Sequence, residues 1–125
     1  MKIENIKFKA KELGTGKWKV GFLQRDMDYN LCILIANKED HSWYWTQIDP
    51  STVCMFTGLK DYENQDIYEG DILAEKECPE FEVGYINCTF AAAYVGDDKF
   101  IFNLTALSEV CTVCGNKFDR KEGEK

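Results

Sequence analysis

The sequence predicts one mainly β domain, and three observations lead to this. The chain has 125 residues, the size of a single ordinary domain. Apolar residues make up 45% of it and aromatic residues 14%, enough to fill one hydrophobic core. Along most of the chain, apolar and polar side chains alternate with a period of two, a pattern that indicates strands and not helices.

The first half, residues 1–49, is predicted to form antiparallel strands. The stretches "IKFKA" and "KWKVGFLQR" alternate, so each predicts a strand with one buried face, and the glycines of "KELGTG" predict a hairpin between them. The buried face of the second strand is predicted to carry Trp18, Val20 and Phe22. "YNLCILIAN" is an uninterrupted apolar run, typical of a strand buried on both faces, and "HSWYWTQI" alternates again.

The pair Asp49-Pro50 marks the predicted division between the two halves. Proline fixes its own backbone and suits the start of one helical turn, which Asp49 would cap. Residues 50–119 then predict further strands, a turn at "VGDDK" and one short helix at "LTALSE". Residues 1–119 are thus expected to form a single domain, and residues 120–125, which carry no apolar side chain, to form a frayed tail.

Charge is divided unevenly along the chain, whose formal net charge is −7. Residues 1–25 hold seven Lys or Arg and two Glu, whereas residues 61–82 hold nine acids and one Lys. This division favours contact between copies, and it would direct any nucleic acid to Lys7, Lys9, Lys17 and Lys19. No apolar run is long enough for a membrane span or a signal peptide, so we expect a cytoplasmic protein without a membrane partner.

The most patterned stretch is "FTGLKDYENQDIYEGDIL", whose polar residues predict turns. Asp61 is expected to cap its own turn, with Asn64 in the left-handed conformation. Gly70 is expected at a bend or a close backbone approach, and Asp71 is expected to accept hydrogen bonds from the amides of that bend. The candidate structural motif comprises Thr57, Gly58, Leu59, Asp61, Asn64, Ile67, Tyr68, Glu69, Gly70 and Asp71.

This stretch resembles the signature of the YopX family of phage and prophage proteins. The stretches "IKFKA" with "GKWKVGFL", "IDPSTVCMFTG" and "VCGNKFD" also resemble that family, so the resemblance covers most of residues 3–119. The chain departs from the family in its signature turn, where Glu63-Asn64 replaces the usual Asn-Gly. The resemblance implies a mainly β fold, a small SH3-like barrel in the C-terminal half and a phage origin. It supplies no catalytic or ligand-binding residues.

The six cysteines are expected to be reduced thiols. Cys111 and Cys114 have the spacing of half a zinc site, but no second close pair completes four ligands. We therefore expect no metal, with one of these two thiols buried and the other exposed. The other thiols expected to be buried and inert are Cys32, Cys54 and Cys88.

Other patterns that could support catalysis are weak. His41 is the only histidine, so any Ser-His or Cys-His arrangement would need it, and it is expected to lie exposed at a strand start. The acids after Asp61 do not fit a calcium loop, because its sixth and twelfth positions hold Asp66 and Ile72 where Gly and Glu are needed. We expect no cofactor and no enzymatic activity.

The aromatic stretch "HSWYWT" is the best candidate for an interaction surface. Either Tyr44 or the pair Trp43 and Trp45 must face away from the core, which favours a subunit interface or partner site. The leading hypothesis is a phage accessory protein, in the cytoplasm of the host cell, that acts through protein contacts as a homo-oligomer or with a host or phage protein. The alternatives are a nucleic-acid-binding module that uses the basic strands and the aromatic side chains, or an acidic DNA mimic that inhibits a host enzyme.

Overall fold

The computed structural model describes residues 2–37, 39–76 and 78–120, without the side chains of Asp98 and Phe100. The chain divides into two compact units, Met1–Phe56 and Thr57–Lys125, called here the first and second unit. The predicted single domain over residues 1–119 and the predicted division after residue 49 stay predictions. Of the predicted tail, only Arg120 lies among the described residues.

The first unit is built on an antiparallel meander of four strands, followed by the start of a fifth. The strands are β1 (Phe8–Lys11), β2 (Trp18–Arg25), β3 (Leu31–Ala36), β4 (Trp43–Gln47) and β5 (Cys54–Lys60). In this sheet the strand order is β4-β3-β2-β1-β5, so β4 lies at an edge. Asp49 accepts a hydrogen bond from Ser51 N and caps a short 3-10 helix, Pro50–Thr52, as the sequence predicts.

The first sheet has a core face and an open face, and the sequence prediction for β2 placed its side chains on the wrong one. Phe8 lies opposite Gly21, while Val20 lies opposite Lys9. Because opposite residues share a face, Val20 and Phe22 point away from the buried core, and they are 44% and 37% exposed. The alternation itself was predicted correctly. The hairpin register decides which of the two alternating sets of side chains faces the core, and that was predicted wrongly.

The core face of the first sheet buries Ala10, Ile33 and Ile48. The sheet curls over this core, since Ile48 forms an isolated bridge with Glu12. The prediction that β3 is buried on both faces is confirmed for Cys32 and Ile33, which are 1% and 0% exposed.

The second unit contains the end of β5 and six further strands. These are β6 (Asp66–Tyr68), β7 (Asp71–Ala74), β8 (Phe81–Ile86), β9 (Thr89–Tyr94), β10 (Asp97–Asn103) and β11 (Thr112–Asn116). β5 continues from the first unit and neighbours β6, and the remaining strands form a sheet in the order β10-β9-β8-β7-β11. The mainly β prediction is confirmed, with antiparallel sheets that do not close into a barrel among the described strands. The SH3-like character of this half stays a prediction.

The core of the second unit is formed by side chains from the sheet and from one short helix. The helix, α1 (Leu104–Ser108), confirms the helix predicted at "LTALSE", and Asn103 caps it by accepting a hydrogen bond from Ala106 N at 3.1 Å. The buried members are Ile67, Leu73, Phe81, Val83, Ala92, Leu104 and Cys111.

One of the predicted buried thiols is exposed. Cys32 and Cys54 are buried as expected, but Cys88 is exposed. Asn87 and Cys88 form the two-residue turn between β8 and β9, with φ of 53° and 64°. The sequence prediction missed this turn because Asn-Cys lacks the glycine that usually marks it.

Candidate functional site

The first candidate site is the signature stretch, where Asp61 organises a turn and a long-range contact. Its Oδ1 accepts hydrogen bonds from Glu63 N at 2.9 Å and Gln65 N at 2.8 Å. Its Oδ2 accepts one from Val113 N at 2.8 Å, 52 residues away in sequence. Asn64 adopts the left-handed conformation that the sequence predicts, with φ of 68°. The turn is thereby attached to the start of β11.

A second carboxylate, Asp71, holds the bend at Gly70. Its Oδ2 accepts a hydrogen bond from Tyr68 N at 2.7 Å, and its Oδ1 accepts one from Nδ2 of Asn116 at 2.9 Å. Gly70 has φ of 85°, which side chains rarely tolerate. A Cβ there would also lie 3.3 Å from Nδ2 of Asn116. In turn, Gly70 O accepts a hydrogen bond from Lys117 N at 2.9 Å.

Other members of the candidate structural motif support β5 and β6. Oγ1 of Thr57 donates a hydrogen bond to Ile67 O at 2.8 Å and accepts one from Leu59 N at 3.2 Å. Gly58 between them has φ of 87°. Tyr68 is 5% exposed, and this burial, with the nearby Asp66 and Asp71 carboxylates, raises the pKa of its phenol to about 12.

Glu69, a third acid of the motif, faces a cleft. This cleft has a volume of about 550 Å³ and is also lined by Glu82, Tyr85, Tyr94 and Lys117. By contrast, Asp61 and Asp71 are 6% and 1% exposed, so their oxygens serve protein N–H groups and not a ligand in solvent. Asp61 and Asp71 are therefore placed to fix turns, and they do not form an exposed pair of carboxylates that could act on a ligand.

The two cysteine candidates flank Val113, whose N–H donates to Asp61. Cys111 is buried and Cys114 is exposed. Sγ of Cys114 lies 3.4 Å from Oε2 of Glu80, whose carboxylate also accepts two hydrogen bonds from Arg120, at 3.0 and 2.8 Å. Desolvation raises the pKa of the buried Cys111 thiol, and partial desolvation together with the neighbouring Glu80 carboxylate raises that of Cys114. His41 is exposed in the turn before β4. Across the described residues, no three His, Cys, Asp or Glu side chains are grouped to hold a metal.

The second candidate site is the open face of the first sheet. Trp43 and Trp45 of β4 point to this face and are 54% and 59% exposed. Phe22 lies beside them, with its ring centroid 6.3 Å from that of Trp43. Tyr44 points to the other side of the sheet but is still 47% exposed, since β4 is at the edge. An apolar groove of about 190 Å³ runs over this face, and its lining includes Ile3, Ile6, Val20, Phe22, Leu34 and Trp43.

The structure brings only some of the predicted lysines to this open face. Lys7 lies over the ring of Phe56, with Nζ 4.5 Å from the ring centroid. Lys9 lies in the same way over Trp18, at 4.8 Å. Lys19 instead lies opposite Ala10, on the core face. Lys17 is exposed just before β2 begins. The predicted basic surface is therefore divided between the two faces of the sheet.

Sequence reasoning missed residues at both sites. At the open face it missed Phe22 and Leu34, because it assigned the first to the core and treated the second as buried. At the signature it missed Asn116, which is 2% exposed and joins Asp71 to the end of β11. A polar residue in the otherwise apolar approach "VCTVCGN" was the one available signal.

Comparison with known proteins identifies a family. The described part of the chain contains no apolar helix of the length that a bilayer crossing needs. No curated protein matches the chain. The family model described as YopX protein matches residues 7–122, which include the signature, both sheets and the open face. Because this match spans nearly the whole sequence, the chain belongs to the YopX family.

Proposed function

We propose that the protein is a non-enzymatic phage or prophage accessory protein that acts through protein–protein contacts made by the open face of the first sheet. The observation that carries this proposal is the exposure of Trp43 and Trp45 beside Phe22 and an apolar groove. Tryptophan is enriched among the residues that contribute most to protein interfaces. An apolar patch of this kind is costly to leave in water unless a partner covers it.

The signature supports the non-enzymatic part of the proposal. Asp61 and Asp71 accept hydrogen bonds from protein groups through both carboxylate oxygens. A general acid or base must reach a substrate proton, and these two aspartates are nearly closed to solvent. We assign the candidate structural motif to holding the second unit together. An SH3-like strand arrangement in the C-terminal half and a location in the host-cell cytoplasm are parts of the same proposal.

A homo-oligomer is the expected assembly, and the mass in solution tests it. We expect the wild-type chain to sediment at micromolar concentration as a species heavier than the 14.4 kDa monomer. The variant Trp43→Ser/Trp45→Ser is expected to sediment as a monomer with unchanged circular dichroism. The matched control Tyr29→Ser/Tyr62→Ser removes two aromatic side chains that are 79% and 72% exposed elsewhere, and it should leave the assembly intact. A wild-type chain that stays monomeric at tens of micromolar would refute the homo-oligomer.

Nucleic-acid binding is the second candidate. Lys9 and Lys11 of β1, with Lys7 just before it, occupy alternate positions and so share one face. Lys7 and Lys9 lie on aromatic rings, and the net charge of −7 opposes a phosphate backbone. If this candidate holds, an oligonucleotide will bind at low salt. Its affinity will fall steeply between roughly 50 and 200 mM salt, because contacts to phosphate groups dominate such complexes. The variant Lys7→Gln/Lys9→Gln should then reduce that dependence.

The DNA-mimic alternative has less support from the acidic stretch. Two of its carboxylates, Asp61 and Asp71, are buried and hydrogen-bonded, and Asp66 pairs with Lys60 at 2.9 Å. The exposed negative charge is therefore smaller than the sequence count suggests. A basic host protein that binds the wild-type chain but not a variant with Glu63→Gln and Glu69→Gln would favour it.

A further inference from the structure

We propose that two copies join edge to edge through β4, antiparallel about a two-fold axis, so that the first sheet continues from one copy into the other. This inference rests on the proposed function, since it names the partner as a second copy and the contact as one strand. β4 is an edge strand, and its side chains Trp43, Tyr44 and Trp45 are all about half exposed. An edge strand presents unpaired backbone groups to any strand that can lie beside it.

The alternation of backbone hydrogen bonds shows which groups of β4 face outward. Asn37 N donates to Ser42 O at 2.7 Å, and Ile48 N donates to Leu31 O at 3.1 Å. Both contacts are made by even-numbered residues of the β4 segment and point toward β3. In an antiparallel ladder the intervening residues direct their N–H and C=O groups to the other side. The odd-numbered residues, Trp43 and Trp45 among them, therefore face the open edge.

The open edge is short, which fixes the register of the contact. Gln47 O already accepts a hydrogen bond from Leu13 N at 3.0 Å, so the edge is occupied at that end. In the part of the chain that the structure describes, the outward backbone groups of Trp43 and Trp45 have no backbone partner. If Trp43 of one copy lies opposite Trp45 of the other, each pair exchanges two N–H···O bonds. Tyr44 then lies on the two-fold axis, opposite Tyr44 of the second copy.

The chemistry of β4 suits a second copy better than another partner. A two-fold axis near a strand places each of its charged groups close to the same group of the second copy, where the two repel each other. β4, "WYWTQ", carries no charge, so no such repulsion arises. The strand also lacks the lysine, proline or bulge that commonly prevents edges from pairing. The same register sets Trp43 against Trp45 across the axis, on the open face. Cross-strand aromatic pairs of this kind stabilise antiparallel sheets.

Disulfide crosslinking tests the register. The background carries Cys78→Ser, Cys88→Ser and Cys114→Ser, and also Cys32→Ala, because Cys32 lies opposite Gln47 and could form a disulfide with the control cysteine. In this background, Tyr44→Cys would face itself in a non-hydrogen-bonded pair with Cα atoms about 4.5 Å apart. That separation lies within the range of roughly 4.4–6.8 Å that a disulfide spans. Two copies of Gln47→Cys, the matched control, would lie about 20 Å apart along the strands. With oxidised glutathione as oxidant, we expect a covalent dimer for Tyr44→Cys and monomer for Gln47→Cys.

Amide hydrogen exchange on the wild-type chain provides a test without substitutions. The N–H groups of Trp43 and Trp45 should become at least ten-fold more protected as the protein concentration rises through the dimerisation range. Fast exchange of both amides at all concentrations would overturn the edge pairing, as would equal crosslinking of Tyr44→Cys and Gln47→Cys. If either result occurs while the wild-type chain still sediments as an oligomer, the proposed function stands and only the β4 contact fails. A monomeric wild-type chain overturns the β4 contact together with the homo-oligomer.

Discussion

Substitution of Asp61 separates the local and long-range parts of its role. In Asp61→Asn, the amide oxygen can keep the bonds from Glu63 N and Gln65 N, while its NH2 group faces Val113 N–H. One charge-assisted hydrogen bond is then lost and a donor meets a donor. Hydrogen bonds to charged groups contribute about 1.5–3 kcal/mol, so we expect the free energy of unfolding to fall by about 2 kcal/mol. Asp61→Ala loses all three bonds and should cost about 3–5 kcal/mol.

Urea denaturation followed by circular dichroism measures both values. Glu63→Gln is the control, because it neutralises an exposed acid in the same turn and should change stability by less than about 0.5 kcal/mol. The reasoning fails if Asp61→Asn is as stable as the wild type within about 0.5 kcal/mol, since Val113 N–H would then not depend on the carboxylate. It also fails if Asp61→Asn and Asp61→Ala cost the same, because the turn would then contribute nothing.

Three further predictions concern single positions. Gly21→Ala should destabilise the first unit by at least about 3 kcal/mol in urea, because its Cβ would lie 2.1 Å from Leu34 O. Cys88→Gly should raise the free energy of unfolding by about 0.5–1 kcal/mol, and with it the thermal midpoint, because φ of 64° at this position favours glycine. An unchanged midpoint would contradict this. The bonds from Arg120 lower the pKa of Glu80, so this pair stabilises the fold above its ordinary pKa of 4.5, and that contribution is lost as the pH falls through its lowered pKa. In Glu80→Gln, acid titration of stability should therefore show a smaller decrease than in the wild type.

Local chemistry made much of the fold predictable. Alternation identified the strands, and Asp49 with Pro50 identified the short 3-10 helix, because each signal acts within a few residues. The same holds for Asn64 and Gly70, whose positive φ values follow from residue type and turn position. The family resemblance, carried by the signature, was confirmed over residues 7–122.

The features that could not be predicted depend on pairing between distant strands. The register of Phe8 with Gly21 decides that Phe22 faces outward, and a shift by one residue would have reversed that result. The contact between Asp71 and Asn116 joins positions 45 residues apart, which no local pattern encodes. The sequence predicted that either Tyr44 or the two tryptophans had to face away from the core, but the strand order was needed to show which.

The long-range partners of both signature carboxylates are synthesised well after the carboxylates themselves. Val113 and Asn116 follow Asp61 and Asp71 by 52 and 45 residues, so a ribosome completes the turns well before the groups that lock them leave the exit tunnel. The second unit therefore cannot complete these two contacts until β11 has been synthesised. A stop codon between positions 72 and 112 would remove both long-range contacts at once, whereas the first-unit meander would lose none of its own strand pairings.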